Sequence, residues 1–257
     1  MPYKKHFLTN VILRVDFVSP EETIKQTLLP DVKNTCVSYF PIPEERKVET
    51  QQVLVNNQPS MQNTVISKEN LIEWHFFGTE REKELCITHQ CMFVDFKEYK
   101  TYDDFKAQYF DILEKLMSSY PTLKINRVGL RYIDKIVLQG DKNARKSWGT
   151  YWNRYLNSNL VQGLSFADDD NSISRNMGSL EMNYGDHMLR FQYGVYNEDY
   201  PAPNKKNEFV LDTDIFSTGI FGIDEIQEMT DKFHAKAKDW FEKSIKAPLR
   251  EKMGVVD

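Results

Sequence analysis

The stretch that decides the fold is "INRVGLRYIDKIVL", residues 125–138, in which apolar and polar residues alternate. A period of two is the pattern of a β-strand that buries one side and turns the other to solvent. The apolar side consists of Val128, Leu130, Tyr132, Ile136 and Leu138. The other side carries Arg127, Arg131 and Lys135, so the strand presents a row of cations on its polar face.

A second strand of the same kind, "NVILRVDF", occupies residues 10–17. Both strands contain a Leu-Arg pair followed by an aspartate, with Arg14 in the first strand and Arg131 in the second. After each strand come a short helical piece, several antiparallel strands and one long helix. The order of these elements, rather than the identity of the residues, predicts a tandem duplication.

The two long helices are predicted from apolar residues spaced three and four apart. The first covers residues 102–119 and is capped by Thr101 with Asp104, and the second runs from Asp224 to about Ile245. We expect each helix to pack its apolar stripe on one face of a sheet.

Turns and shorter elements complete the prediction. "GTEREK", residues 78–83, and Gly185-Asp186 both indicate β-hairpins. "SPEETIKQTLL" predicts a short helix capped at Ser19, and residues 35–77 predict several strands.

The predicted fold class is therefore α+β, with tandem pseudo-duplicated antiparallel sheets, each with one long amphipathic helix packed on one face. We place the N-terminal half at residues 1–122 and the C-terminal half at residues 123–257. We expect the two halves to form one compact unit.

Composition narrows the class of protein. The chain has 257 residues, of which 40% are hydrophobic and 13% aromatic, enough for a sizeable core. It shows neither an apolar run long enough to span a bilayer nor the apolar part of a secretory signal. The three cysteines are too scattered for a disulfide framework, which favours the cytoplasm. The net charge of -5 argues against non-specific coating of nucleic acid.

Cations on the predicted strand faces form the first candidate site. The candidate anion- or partner-binding residues are Arg14, Arg127, Arg131, Lys135 and Arg190. If the halves pack side by side, Arg14 and Arg131 lie near each other and create a face for an anion or a nucleic-acid backbone. The alternative is salt bridging with Asp16, Asp134 and Glu181, as is common for exposed opposite charges on neighbouring strands.

"FVLDTDIF", residues 209–216, holds a candidate metal pair. Asp212 and Asp214 lie on the same side of a strand, where a divalent cation is geometrically possible. Phe216 stands where an aspartyl phosphotransferase has Thr or Val, and no glycine-rich phosphate loop follows. We therefore expect a structural role, with a carboxylate at the strand end accepting backbone amides of the turn.

A second candidate metal set comprises His75, His89 and Cys91. If residues 78–83 are the hairpin turn, His75 lies nearly opposite His89, and Cys91 shares a face with His89. A fourth ligand and a C-x-x-C pair are missing, so ordinary sheet residues are expected. The run Asp168-Asp169-Asp170 lacks the glycine and glutamate of a calcium loop. We expect no metal and no cofactor.

The chain contains none of the common nucleophile, phosphate-loop, zincin or kinase motifs. These observations favour a non-enzymatic cytoplasmic protein-binding or regulatory module that acts with a partner protein. One alternative is a nucleic-acid-associated protein that uses the basic strand face. Another is a metal-dependent hydrolase at Asp212 and Asp214. The sequence does not determine the oligomeric state.

Four segments carry a resemblance: "VILRVDF", "GLRYIDKI", "FVLDTD" and "FEKSIKAPLREKMG". The chain resembles a sporadically distributed, uncharacterised prokaryotic family of about this length, with a GLRYI-(N/D)-x-I central strand and a C-terminal LRexMG. Asp134 stands where asparagine is common in that family. The resemblance implies no established activity, cofactor or catalytic residue. It implies an accessory gene, such as one carried by a mobile or defence-related locus.

Overall fold

A computed structural model describes residues 3–55, 64–138 and 147–254, with backbone only at 50–55 and 64–68. Within these ranges the chain forms a single nine-stranded antiparallel sheet and six α-helices. The α+β class predicted from the sequence is confirmed. Separate sheets for the two halves are not found, because both halves contribute strands to the same sheet.

The elements follow the predicted order in each half. The N-terminal half contains β1 (Leu8–Phe17), α1 (Pro30–Tyr39), β2 (Ile42–Val55), β3 (Thr64–Phe77), β4 (Lys83–Ile87), β5 (Cys91–Phe96) and α2 (Tyr102–Ser119). The C-terminal half contains β6 (Ile125–Val137), α3 (Trp148–Tyr155), α4 (Gln162–Phe166), β7 (Asn176–Asn183), β8 (Met188–Val195), β9 (Glu208–Phe221), α5 (Ile223–Ser244) and α6 (Ala247–Met253).

The strand order is β2-β3-β4-β5-β1-β6-β9-β8-β7, and the seam between the halves is the β1–β6 pair. In that pair Ile12 lies opposite Arg131, and Arg14 lies opposite Gly129. Backbone hydrogen bonds of an antiparallel ladder therefore join the first strand of one half to the first strand of the other.

One face of the sheet is covered by the helices and holds the core. The fully buried residues Ile112 of α2 and Phe233 of α5 belong to one contiguous apolar cluster with Leu13 of β1 and Leu130 of β6. The apolar residues on one side of the strands and the apolar stripes of the helices pack against each other and form this core. The opposite face, here named the open face, is not covered by any helix within the described residues.

The long helices agree with the sequence, except at the start of α5. Helix α2 begins after Thr101, whose hydroxyl accepts a hydrogen bond from the Asp104 amide at 3.2 Å. Helix α5 begins one residue earlier than expected, because Gly222 is the N-cap and the Glu225 carboxylate accepts from its amide at 2.7 Å. This contact satisfies the free amide of the N-cap residue.

The segment after β1 differs more from the prediction. The helix expected to be capped at Ser19 is only a 3-10 turn, Glu22–Lys25. Strands were expected from residue 35, but α1 occupies Pro30–Tyr39 instead. Its helical stripe has only two buried apolar residues, Val32 and Cys36, four positions apart. A stripe this short gives little periodic signal in the sequence.

Candidate functional site

Side chains from seven strands form one row across the open face. Antiparallel partner residues point to the same face, so the register alone builds this row. From β4 to β7 its members are Glu84, Asp95, Ile12, Arg131, Asp214, Arg190 and Glu181. Over the last four strands the charges alternate in sign.

The predicted arginines of β1 and β6 meet at the middle of the open face. Arg14 lies opposite Gly129 and is therefore flanked diagonally by Arg127 and Arg131. A cavity of about 340 Å³ opens above Gly129 and is named the central pit. Its other lining residues are Ile12, Arg14, Phe93, Arg127, Arg131 and Asp214.

Glycine at position 129 keeps the central pit open. A Cβ atom at this position would lie 3.1 Å from Nη1 of Arg127, closer than most carbon contacts allow. The Arg127 guanidinium instead lies over the ring of Phe216, 4.8 Å from its centroid. Such cation–π stacking holds a guanidinium in place while leaving its edge available for hydrogen bonds.

The three arginines around the pit are held in different ways. Arg131 donates from Nε and Nη2 to both carboxylate oxygens of Asp212, at 2.8 and 2.6 Å. Arg14 donates from Nε alone to Asp16, at 2.7 Å. Nη1 of Arg127 lies 3.5 Å from the other oxygen of Asp16. Within the described residues the two terminal nitrogens of Arg14 have no hydrogen-bond partner, and they face three adjoining cavities.

The salt-bridge alternative therefore describes part of the site. Asp16 bridges Arg14 and Arg127, and Glu181 accepts from Arg190 at 3.0 Å. Lys135 lies beyond the pit and pairs with Glu208 at 2.8 Å. Asp134 takes no part, because it belongs to the helix-covered face of β6.

The two aspartates of the candidate metal pair, Asp212 and Asp214, both lie on the open face, but Asp212 already binds an arginine. Asp212 is buried and receives the guanidinium of Arg131, so the expected contact with turn amides is wrong. Asp214 lies opposite both Arg131 and Arg190, and burial raises the pKa of its carboxyl group. Within the described part of the chain, no three His, Cys, Asp or Glu side chains are grouped to hold a metal.

The second candidate metal set is not aligned as predicted. His75 lies opposite Cys86, and His89 falls in the turn between β4 and β5. The predicted pairing of His75 with His89 is wrong, because the hairpin pairs Phe77 with Glu84 and this register brings Cys86 opposite His75. His75 is instead held by Glu84, with Nδ1 and Oε1 2.7 Å apart. Burial raises the pKa of the Cys91 thiol, which disfavours the thiolate that binds metals.

A polar cluster under α5 was missed in the sequence. Asp134 is buried, its Oδ1 has no hydrogen-bond partner in the described structure, and burial raises its pKa to about 8. Beside it, Tyr132 Oη and His234 Nδ1 are 2.7 Å apart, and burial lowers the pKa of His234 to about 4. The sequence does indicate a buried Asp134, because this residue lies on the same side of the strand as the apolar residues Tyr132 and Ile136.

Comparison of the sequence with models of known protein families and with curated proteins finds no match. Over residues 3–55, 64–138 and 147–254, no helix is both long and apolar enough to cross a membrane. The function of this chain must therefore be argued from its surfaces.

Proposed function

We propose that the chain is a non-enzymatic, cytoplasmic protein-binding module, an accessory subunit that docks its partner on the open face. The observation that carries this proposal is the seven-strand row beside the central pit, whose charges alternate in sign over the last four strands, on a face that no described helix covers. A broad, preformed sheet face with fixed side chains is a docking surface that needs little reorganisation on binding.

The charge balance of the site supports a protein as the partner. The charged residues around the pit are Arg14, Arg127, Arg131, Asp16, Asp212 and Asp214. Three positive and three negative groups give no excess of cations, whereas binding to a phosphate backbone depends on such an excess. Interfaces between proteins instead match mixed charges across the contact. Arginine and aromatic residues, here with Phe93 and Phe216, are enriched at the centres of such interfaces.

Arg14 is the anchor in this proposal. Its terminal nitrogens form a fork with no other partner in the described residues, and a carboxylate of the partner can accept two hydrogen bonds from it. The neighbouring Phe93 and Ile12 line the same pit and exclude water from the contact. The partner segment is therefore expected to present an aspartate or a glutamate beside an apolar side chain.

Arg14→Glu tests the proposal by reversing the charge of the anchor. The wild-type chain, Arg14→Glu and the matched control Arg154→Glu on α3 are used as baits at native expression, with proteins and nucleic acids both quantified. We expect one protein to be recovered with the wild type and the control, and to fall at least tenfold, about 1.4 kcal/mol, with Arg14→Glu. Equal recovery with all three baits contradicts the proposal.

The second candidate is a nucleic-acid-associated protein, and the three clustered arginines are the observation that favours it. Filter binding of duplex and single strands at low and physiological salt tests it. Binding that persists at physiological salt and is lost with Arg131→Glu would place this candidate first.

A hydrolase at Asp212 and Asp214 has less support, because the Asp212 carboxylate already accepts hydrogen bonds from Arg131.

We also propose that the two halves arose by tandem duplication, and three offsets support this. Arg14 and Arg131 are 117 residues apart, and the same offset relates both irregular ends of the β1–β6 ladder, Leu8 with Ile125 and Phe17 with Asp134. The helix caps Thr101 and Gly222 are 121 residues apart. Superposition of residues 8–119 on residues 125–246 tests the proposal, and unlike helix placement would contradict it.

A further inference from the structure

The two edges of the nine-stranded sheet differ in how they are protected. The β2 edge carries Pro43 and, directly after it, four consecutive charged residues, 44–47. The β7 edge, "NMGSLEMN", carries one charge, Glu181, which Arg190 neutralises. Charged residues and proline are the usual means of preventing a sheet edge from pairing with another chain. The β7 edge lacks both of these protections.

Apolar side chains are exposed along β7 on both faces of the sheet. Met177, Leu180 and Met182 are each about 40% exposed, a large fraction for such side chains in a strand. Leu180 lies opposite Phe191 on the helix-covered face, and Phe191 contacts Trp240 of α5, with 5.1 Å between ring centroids. The apolar layer under α5 therefore continues to the edge and ends there uncovered.

The outer backbone groups of β7 are available in alternate residues. The Tyr184 amide donates to the His187 carbonyl at 2.9 Å and closes the β7–β8 hairpin. Counting back along the unbroken register, Met182, Leu180 and Gly178 direct their backbone groups toward β8. Ser179 and Glu181 therefore direct theirs outward, and within the described residues no strand pairs with that edge.

We propose that β7 pairs with β7 of a second copy of this chain, antiparallel, about a two-fold axis perpendicular to the sheet at Leu180. Such an axis keeps each face on its own side, so Leu180 of one copy meets Leu180 of the other on the helix-covered face. Ser179 then lies opposite Glu181 of the second copy, and the pair exchanges two backbone hydrogen bonds. The two sheets become one sheet of eighteen strands.

The sequence of β7 favours a second copy as the occupant because it is self-complementary in this register. No like charges lie opposite each other, since Glu181 faces Ser179. Met182 faces Gly178, over which the ring of Tyr193 lies, so the thioether meets an aromatic surface. The internal β1–β6 seam has the same arrangement, with two equivalent strands paired antiparallel across the sheet. The proposed dimer leaves the open face free, so it is independent of the proposed docking function.

Charge-swap variants at Leu180 test the two-fold contact. We expect sedimentation equilibrium to give the wild type twice the chain mass of 30.3 kDa. Leu180→Lys and Leu180→Glu each place like charges opposite each other, so each variant falls to the single-chain mass. Their equimolar mixture returns to twice the mass, because opposite charges then meet. Ile220→Lys, the same change at an exposed apolar residue of β9, keeps the dimer.

A backbone variant tests the strand pairing separately. Ser179→Pro removes an outward amide while leaving the bonds to β8 intact, and edge positions of this kind tolerate proline. We expect Ser179→Pro to sediment as a single chain with the circular dichroism spectrum of the wild type. The matched Ser179→Ala keeps its amide and remains a dimer.

A cysteine variant defines the register. Cys36, Cys86 and Cys91 are all buried, so a new thiol in Leu180→Cys is the most accessible one among the described residues. Directly opposite residues of a non-hydrogen-bonded pair have Cα atoms about 4.5 Å apart, within reach of a disulfide. Mild oxidation should give a covalent dimer, whereas Ile220→Cys should not.

Three results would overturn the proposal. The first is a wild-type chain that stays at the single-chain mass up to hundreds of micromolar. The second is a dimer that survives Leu180→Lys and Ser179→Pro, since it must then use another surface. The third is an equimolar mixture of Leu180→Lys and Leu180→Glu that remains at the single-chain mass.

Discussion

The N-terminal and C-terminal halves share the same order of elements, but their outer strands differ in how well they are covered. In the N-terminal half, α1 packs beside α2 with Lys33 over the ring of Trp74 on β3, and the sheet continues to the charged strand β2. In the C-terminal half, the sheet stops at β7 with its apolar layer uncovered. The sheet thus has one edge protected by charged residues, at β2, and one edge that a partner is able to reach, at β7.

Arg14 and Arg131, which lie 117 residues apart in the first strand of each half, show the same contrast. Arg131 is held by both oxygens of Asp212, a buried carboxylate, whereas Arg14 is held through a single nitrogen by Asp16, which also lies near Arg127. A doubly bound guanidinium stabilises the fold, and a singly bound one is able to bind a ligand. Under the proposed function, Arg131 therefore contributes to stability and Arg14 to recognition.

The largest effect is expected where the halves are most alike, in the core under α2 and α5. Ile112→Ala and Phe233→Ala remove fully buried side chains at positions 121 residues apart. Each should lower the free energy of unfolding by about 3–5 kcal/mol in urea titrations, and Glu228→Ala on the exposed side of α5 by much less. Because the halves share one sheet and one core, circular dichroism and tryptophan fluorescence should report a single transition. Two separate transitions would show that the halves are independent.

The next effect distinguishes Asp134 from Phe17, the residue related to it by the proposed offset of 117 positions. Burial raises the pKa of Asp134 to about 8, above the value of about 3.9 in an unfolded chain. The folded state therefore holds the proton more tightly, and stability falls as the pH rises between these two values, by up to about 1.4 kcal/mol per unit.

Asp134→Asn tests this pH dependence. Relative to wild type, the variant should gain stability steadily from pH 5 to pH 8 in chemical denaturation. The exposed change Asp168→Asn should run parallel to wild type throughout. A constant difference between Asp134→Asn and wild type over this range would contradict the assignment.

A smaller effect compares the two arginines directly. Arg131→Met leaves the buried Asp212 carboxylate without its partner and should cost about 2 kcal/mol of unfolding free energy. Arg14→Met should cost less than about 1 kcal/mol, because Asp16 keeps Arg127 and contact with water. Equal losses in thermal or urea denaturation would remove the distinction drawn between them.

The smallest effect concerns the caps of the two long helices. Thr101→Ala removes the hydroxyl that accepts from the Asp104 amide, at a cost of about 1 kcal/mol. Gly222 has no side chain to lose, and Gly222→Ser adds an acceptor that should stabilise α5 by a few tenths of a kcal/mol. Differential scanning calorimetry is suited to such small differences. Destabilisation by Gly222→Ser would mean that Glu225 alone determines this cap.

The local pattern of apolar residues in the sequence was sufficient to predict the long helices and strands, but not how they assemble into one sheet. The alternation in residues 125–138 and the stripe in residues 102–119 identify β6 and α2, because each pattern lies within one segment. The joining of both halves into one sheet depends on the β1–β6 pairing, between strands more than a hundred residues apart. No local periodicity encodes a pairing over that distance.

The site shows the same limit at the level of side chains. The sequence places Arg131 and both aspartates of β9 on polar strand faces, but Arg131 binds Asp212 rather than Asp214, the residue directly opposite. That choice follows from the reach of a long side chain, which register does not determine. The His75–His89 pairing failed for a simpler reason. The hairpin pairs Phe77 with Glu84, so the residue that comes opposite His75 is Cys86, three residues before His89.

The position of β1 has a consequence for the order in which the structure forms during synthesis. This strand is made before both of its neighbours, so its edge toward β5 stays unpaired until residue 96 has been added and its edge toward β6 until residue 134. The carbonyl of Gly254 accepts from the Lys4 amide at 2.8 Å, so the segment preceding β1 is fixed later still. Contacts this distant cannot form until the later residues have been made, and the apolar strand has to be shielded meanwhile. The β1–β6 seam that unites the two halves thus forms only after all strands of the N-terminal half have been made.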